Sequence, residues 1–97
     1  MEKIVIEIEK MFNDEFFEVE HYLYSLPQGL QEEFRLEFQY RDEGDPYYHR
    51  KIKIEVNPRQ RKYSDEERKK VRDATSELVS KLFVRYNHAT GKIVDDS

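Results

Sequence analysis

The chain has 97 residues, of which 39% are charged and 13% are aromatic, and its formal net charge is −4. This length indicates one domain, the recurring aromatic residues argue against a disordered chain, and the absence of cysteine excludes disulfides and thiolate chemistry. The N-terminus lacks the apolar core of a signal peptide, and no run approaches the roughly 18 apolar residues of a membrane span, so we expect a cytoplasmic protein without a membrane partner.

Three segments, residues 3–9, 33–41 and 51–56, alternate apolar and polar residues with the period of two that is typical of a half-buried strand. The predicted inward residues are Ile4, Ile6 and Ile8, then Phe34, Leu36, Phe38 and Tyr40, then Ile52, Ile54 and Val56. Residues 42–48 lie between the last two segments and contain Gly and Asp-Pro, so they predict the loop of an antiparallel hairpin.

Residues 14–26 fit two interpretations. As a strand they would point Phe17, Val19 and Leu23 inward, and the strand propensity of Phe, Val and Tyr favours this interpretation. The outward residues would be Glu18, Glu20, Tyr22 and Tyr24. This strand would pair with residues 3–12 and set acidic residues against each other, although facing like charges are destabilising.

The alternative for residues 14–26 is a helix. Its apolar face would consist of Phe16, Val19, Leu23 and Leu26. Asn13 or Asp14 would cap it, Pro27 would follow it, and Glu20 would intrude on the apolar face. We prefer the strand and keep the helix as the alternative.

The C-terminal part predicts a long helix over residues 65–88. Ser64 is a natural N-cap, and Glu67 three residues later completes a capping box. The apolar stripe consists of Val71, Ala74, Leu78, Leu82 and Tyr86, widened by Val79 and Phe83. Gly91 is the expected end signal of this helix.

These elements predict an α+β fold in which an antiparallel sheet of three to four strands has one face covered by the C-terminal helix. The order is β-β-β-β-α or β-α-β-β-α, depending on residues 14–26. Residues 1–91 form the single predicted domain. Residues 92–97 follow as a C-terminal tail, with a short added strand as the alternative.

The sequence contains no pattern typical of a catalytic or metal site. His21, His49 and His88 have no metal-ligand spacing, and no glycine-rich phosphate loop occurs. The acidic loop at residues 42–45 lacks the ligand spacing of a calcium site, so a solvated hairpin tip is expected. We therefore expect a protein without metal, cofactor or enzymatic activity.

Charge is unevenly distributed along the chain. Residues 1–48 sum to −9, residues 49–72 to +6 and residues 73–97 to −1. If residues 14–26 form a strand, acidic and tyrosine side chains crowd one exposed sheet face. The residues of this predicted protein-binding face are Glu7, Glu9, Glu18, Glu20, Tyr22 and Tyr24. Such a face suits a basic protein partner.

The favoured hypothesis is therefore a small interaction protein that inhibits or modulates a basic, nucleic-acid-handling protein. Its composition is typical of small acidic accessory proteins of phages and mobile elements, an analogy that concerns composition alone. The alternative hypothesis is a nucleic-acid-binding module that uses the basic segment 50–72. Its candidate residues are Arg50, Lys51, Lys53, Arg59, Arg61, Lys62 and Tyr63, the last by stacking on a base.

A homo-oligomer is a further expectation, since the acidic face of one copy could meet the basic segment of another. Val79 and Phe83 widen the helix stripe beyond the width that a small sheet covers, which makes them the predicted dimer contact.

Overall fold

The computed structural model describes residues 3–39, 48–85 and 90–95. The elements are β1 Ile4–Phe12, α1 Asn13–Ser25, α2 Gln28–Gln31, β2 Phe34–Gln39, β3 Tyr48–Val56, α3 Asp65–Ser80 with a π-helical continuation Lys81–Arg85, and β4 Thr90–Asp95. The predicted α+β class, with an antiparallel sheet and a long C-terminal helix, is confirmed.

The four strands form one sheet in the order β2-β3-β1-β4, and every neighbouring pair is antiparallel. The connection from β1 to β2 through α1 and α2 passes over β3, and the connection from β3 to β4 through α3 passes over β1. These two interleaved units are the split β-α-β arrangement of ferredoxin-like folds. This architecture is shared by unrelated activities, so it defines the fold and leaves the function open.

The core lies between one face of the sheet and the helices. Its sheet side consists of Ile6, Ile8, Met11, Ile52, Ile54 and Val56, and its helix side of Phe16, Val19, Leu23, Val71, Leu78 and Leu82. Burying each such aliphatic or aromatic side chain contributes about 1.5–3 kcal/mol. The predicted inward residues Ile4, Phe34 and Leu36 pack on this core and are partly buried, whereas Tyr40 and the side chain of Phe38 lie outside the described residues.

The preferred strand interpretation of residues 14–26 is wrong, because Asn13–Ser25 form helix α1. Both edges of β1 are already paired, with β3 and with β4, so no edge is left for a further strand. The helix alternative is confirmed, since Phe16, Val19 and Leu23 are buried on one face. The predicted caps differ: Phe12 is the N-cap residue, and its N–H donates to Glu15 Oε1 at 3.1 Å.

The predicted start of the C-terminal helix is confirmed. The Glu67 N–H donates to Ser64 Oγ at 3.2 Å, and the Ser64 N–H donates to Glu67 Oε1 at 3.1 Å. The α-helix ends earlier than predicted, at Ser80, and one π-helical stretch follows. Gly91 does not end the helix, because it lies in β4 opposite Ile8.

Residues 92–95 belong to β4 and pair with β1, so the added-strand alternative holds for them and they do not form a tail. Val79 and Phe83, the predicted dimer contact, are partly buried and pack against the core of their own chain. The acidic loop 42–45, Tyr86 and His88 lie outside the described residues, as does the side chain of His49. None of the described helices is long and apolar enough to cross a membrane.

Candidate binding surfaces

The six residues of the predicted acidic face do not form one surface. Glu7 lies on the sheet face that the helices leave uncovered, directly opposite Lys53 of β3, and Glu9 is exposed on the same strand. The other four, Glu18, Glu20, Tyr22 and Tyr24, lie on α1 in the helical layer. The prediction of a single sheet face depended on the strand at residues 14–26, and it fails with that strand.

The two tyrosines of α1 have different environments. Tyr22 faces α3, where its hydroxyl donates to the Ala74 carbonyl at 3.1 Å and lies 3.4 Å from Glu77 Oε2. Burial and the negative charge of Glu77 raise the pKa of Tyr22 to about 12. Tyr24, in contrast, is 68% exposed. Tyr22 therefore joins the two helices, and Tyr24 is available to a partner.

The side of α1 that faces solvent carries an aromatic and acidic row, which we call the outer face of α1. Phe17, Glu20 and Tyr24 are spaced three and four residues apart and therefore follow one another along the helix. Glu18 and His21 flank this row and are exposed. Phe17 is 49% exposed, although its ring packs edge-on against buried Phe16 at 6.0 Å.

The outer face of α1 continues towards the sheet edge. A small crevice of about 110 Å³ lies between α1 and edge strand β2, lined by Tyr24, Leu23, Phe34, Leu36 and Gln31. Its wall is fixed, because Gln31 Nε2 donates to the carbonyls of Tyr24 and Leu26 at 2.7 and 2.6 Å. Phe17 and Tyr24 are large exposed side chains on the same helix. Most exposed hydrophobic residues occur singly, so this pair makes the outer face of α1 a candidate contact surface.

The basic loop at residues 57–63 is organised around a buried carboxylate. Glu33, at the end of the α2–β2 connection, is only 2% exposed. Its Oε2 accepts hydrogen bonds from Arg61 at 2.8 Å and from Arg59 at 3.2 Å, and its Oε1 accepts one from the Tyr63 hydroxyl at 2.9 Å. Arg61 also contacts Glu67 at 3.1 Å and lies over the Tyr63 ring at 5.4 Å. Burial and the Glu33 carboxylate raise the pKa of Tyr63 well above its usual value.

Asn57 fixes the path of this loop. It is fully buried and has a φ of 56°, a left-handed conformation that Asn tolerates better than most residues. Its side chain accepts from the Arg61 N–H at 2.9 Å and donates to the Arg61 carbonyl at 3.1 Å. Its own N–H donates to the Glu33 carbonyl at 2.9 Å. The loop is therefore bound to the Glu33 backbone as well as to its side chain.

This network changes the interpretation of the basic segment. Tyr63 is 7% exposed, so its ring is not available to stack on a base. Arg59 and Arg61 share the Glu33 carboxylate, and Lys53 pairs with Glu55 at 3.1 Å. Lys62 is exposed and forms no ion pair with the described residues. The side chains of Arg50 and Lys51 lie outside the described part of the chain.

The uncovered sheet face also has a buried carboxylate that is surrounded by basic side chains. Glu55 is buried there and lies 3.1 Å from Lys53, 3.6 Å from Arg35 and 3.9 Å from Lys3. The aliphatic stems of such long basic side chains can cover apolar surface while their charges remain solvated, and Val5 on the same face is buried. Sequence reasoning missed both Glu33 and Glu55, because the strand alternation only marks them as outward-facing.

A larger cleft of about 640 Å³ lies between the α1–α2 segment and α3. Its apolar lining includes Leu26, Leu30, Val71 and Ala74, and Asp73 and Glu77 contribute carboxylates from α3. No group of three potential metal ligands occurs among the described residues.

No protein family, curated protein or solved structure matches the chain. A proposal about its function therefore depends on the geometry and charge of its own surfaces.

Proposed function

We propose that this chain is a small binding protein that docks on a basic protein partner through the outer face of α1, and that it inhibits or modulates this partner by covering its cationic surface. The observation that supports the proposal is the exposure of Phe17 and Tyr24 on one helix. That helix contains four acidic residues and no lysine or arginine.

Aromatic side chains are enriched at protein interfaces, and tyrosine is enriched among the few residues that dominate binding energy, because such side chains bury a large area with few rotatable bonds. Phe17 is supported by its contact with core residue Phe16, and the backbone beneath Tyr24 is held by Gln31. Both side chains are therefore presented from a fixed helical backbone, so binding requires no ordering of the backbone beneath them.

The acidic residues specify the charge of the partner. Asp14, Glu15, Glu18 and Glu20 all lie on α1, and a uniformly negative helix accelerates encounter with a positive surface and disfavours acidic competitors. The partner is accordingly a protein with a cationic surface that contains an apolar depression, a description that fits proteins that handle nucleic acid.

The experiment compares immobilised wild-type chain with three variants in capture from a lysate of the source cells, followed by calorimetry with the purified partner. Phe17→Ala with Tyr24→Ala should weaken binding at least about 30-fold, since an interface anchor contributes about 2 kcal/mol. Glu18→Gln with Glu20→Gln should mainly slow association and reduce its salt dependence. Glu7→Gln with Glu9→Gln removes the same charge from β1 and should leave binding unchanged.

Equal binding by wild type and the Phe17/Tyr24 variant would overturn the proposal. The nucleic-acid alternative has its own outcome: captured material would be sensitive to nuclease, and an electrophoretic shift at low salt would weaken in Lys62→Ala. Because the Lys62 side chain is exposed, this substitution tests phosphate contact without disturbing the Glu33 network.

A further inference from the structure

The cleft between the α1–α2 segment and α3 has the size of a small-molecule site. Its volume of about 640 Å³ falls within the range of roughly 300–1,000 Å³ that is usual for ligand pockets. Leu26, Leu30, Val71 and Ala74 supply an apolar lining, and the Tyr22 hydroxyl stands between α1 and α3. The outer face of α1 lies on a different side of the helix, so this cleft is independent of the proposed protein contact.

Most charges that line the cleft are already paired. Arg61 contacts both Glu33, at 2.8 Å, and Glu67, at 3.1 Å. Lys70 directs its ammonium to Glu66 at 3.6 Å. These contacts use the two basic side chains of the lining among the described residues.

Two carboxylates of the lining remain without a cation. Asp73 and Glu77 lie one helical turn apart on α3 and form no ion pair with the described residues, although Glu77 lies 3.4 Å from the Tyr22 hydroxyl. Lys81 places its ammonium 5.5 Å from the centre of the Tyr22 ring but does not belong to the lining. The α3 side of an apolar cleft thus carries two carboxylates that form no ion pair with the described residues.

We propose that this cleft binds a small organic cation, an amine with an aromatic or alkyl body. The body contacts Leu26, Leu30 and Val71, where it leaves water, and the ammonium lies at Asp73 and Glu77. Charge complementarity disfavours an anionic ligand, because an anion would meet both carboxylates and because Arg61 already contacts Glu33 and Glu67. A neutral ligand of the same shape gains only the apolar contact.

The test uses the full chain labelled with ¹⁵N and three matched probes: 2-phenylethylamine, 2-phenylethanol and 3-phenylpropanoate. The amine should produce saturable amide shifts at Gly29, Leu30, Val71 and Ala74. The alcohol should bind at least about fivefold more weakly and the carboxylate should show no saturation, because only the amine contacts both the apolar and the acidic part of the cleft.

Three variants separate charge from shape. Asp73→Asn with Glu77→Gln should weaken amine binding about tenfold and leave alcohol binding within about twofold, as expected for a lost charge contact. Gly29→Leu should weaken binding of both, because Gly29 lines the cleft and a Cβ there meets no atom within 4 Å, so a bulky side chain fits without displacing the chain and narrows the cleft. Glu7 and Glu37 lie opposite Lys53 on the sheet face that the helices leave uncovered. Glu7→Gln with Glu37→Gln removes the same charge from that face and should have no effect.

Equal affinity for all three probes would overturn the proposal, as would absence of amine binding or shifts confined to the outer face of α1. Unchanged amine affinity in Gly29→Leu would do the same. This last variant keeps the test decisive if the double substitution on α3 does not fold.

Discussion

The loop at residues 57–63 contains three basic side chains, and helix α1 contains four acidic residues and no lysine or arginine. Each segment carries charge of one sign, but their environments differ. The arginines of the loop contact buried Glu33, whose carboxylate also accepts a hydrogen bond from the Tyr63 hydroxyl. On α1, Phe17 and Tyr24 are exposed beside the acids. The difference teaches that a buried carboxylate distant in sequence can give a charged segment a structural role, as Glu33 does for the arginines of the loop.

The largest effect is expected from removing the counter-ion of the loop. Glu33→Ala should lower the free energy of unfolding by about 3 kcal/mol, because it leaves the Tyr63 hydroxyl and two guanidinium groups without their buried acceptor. Urea denaturation followed by circular dichroism measures this loss. The matched control is Glu32→Ala, whose side chain is 60% exposed and contacts Arg59 at 3.7 Å; it should cost less than about 0.5 kcal/mol. Similar losses in both variants would break the comparison.

The next effect concerns Asn57, which fixes the loop. Asn57→Ala should cost about 2–3 kcal/mol, since it removes both side-chain hydrogen bonds and places a less tolerant residue at positive φ. Asn57→Gly should cost about 1 kcal/mol less, because glycine adopts this conformation without strain. The same denaturation experiment measures both. If Asn57→Ala and Asn57→Gly lowered the free energy of unfolding equally, the positive φ of Asn57 would not contribute to the stability of the loop.

A smaller effect should distinguish the two tyrosines of α1. Tyr22→Phe removes the hydrogen bond to the Ala74 carbonyl and should cost about 1 kcal/mol of unfolding free energy. Tyr24→Phe makes the same chemical change at an exposed position and should stay within about 0.5 kcal/mol of wild type. Thermal unfolding of both variants tests this. A larger loss in Tyr24→Phe would mean that the outer face of α1 serves the fold.

The smallest effect is a pH dependence. Since the pKa of Tyr22 is raised to about 12 from a usual value near 10, the folded state holds this proton more tightly than the unfolded state. The stability from this group is therefore complete below about pH 10 and is lost as the pH rises through about 12. Between about pH 9 and about pH 11, the urea midpoint should fall more in wild type than in Tyr22→Phe. An equal decrease of the urea midpoint in wild type and in Tyr22→Phe would contradict this prediction.

Three of the four strands and the start of α3 could be predicted from the sequence because their signals are local. Period-two alternation identified β1, β2 and β3, and Ser64 with Glu67 identified the N-terminus of α3. For residues 14–26 the β propensity of Phe, Val and Tyr favours a strand, whereas the helical spacing of Phe16, Val19 and Leu23 indicates the helix that forms. The repulsion expected if residues 14–26 paired as a strand with residues 3–12 correctly argues against that strand. In the structure the acidic residues of β1 lie in the sheet and those of α1 lie in the helical layer.

The candidate sites could be predicted only in part. The sequence indicates the acids and Tyr24 as contact residues, but its strand interpretation points Phe17 inward, and no local pattern indicates the cleft. Glu33 meets Tyr63 across 30 positions of the chain, and no local pattern indicates such a contact. The alternation of a strand predicts which face of the sheet a residue lies on. It does not predict that long basic side chains cover that face, as Arg35 and Lys53 do around Glu55.

The position of β1 inside the sheet affects how the chain folds during synthesis. Ile6 pairs with Ile54 on one side and with Ile93 on the other, so both of its partners are made long after it. Non-local pairing of this kind slows folding. A ribosome-bound chain that ends before β3 therefore exposes the apolar residues of β1 without a sheet to receive them, and such surfaces are what chaperones bind. The β2–β3 hairpin, which pairs strands adjacent in the chain, is the nucleus that we expect to form first.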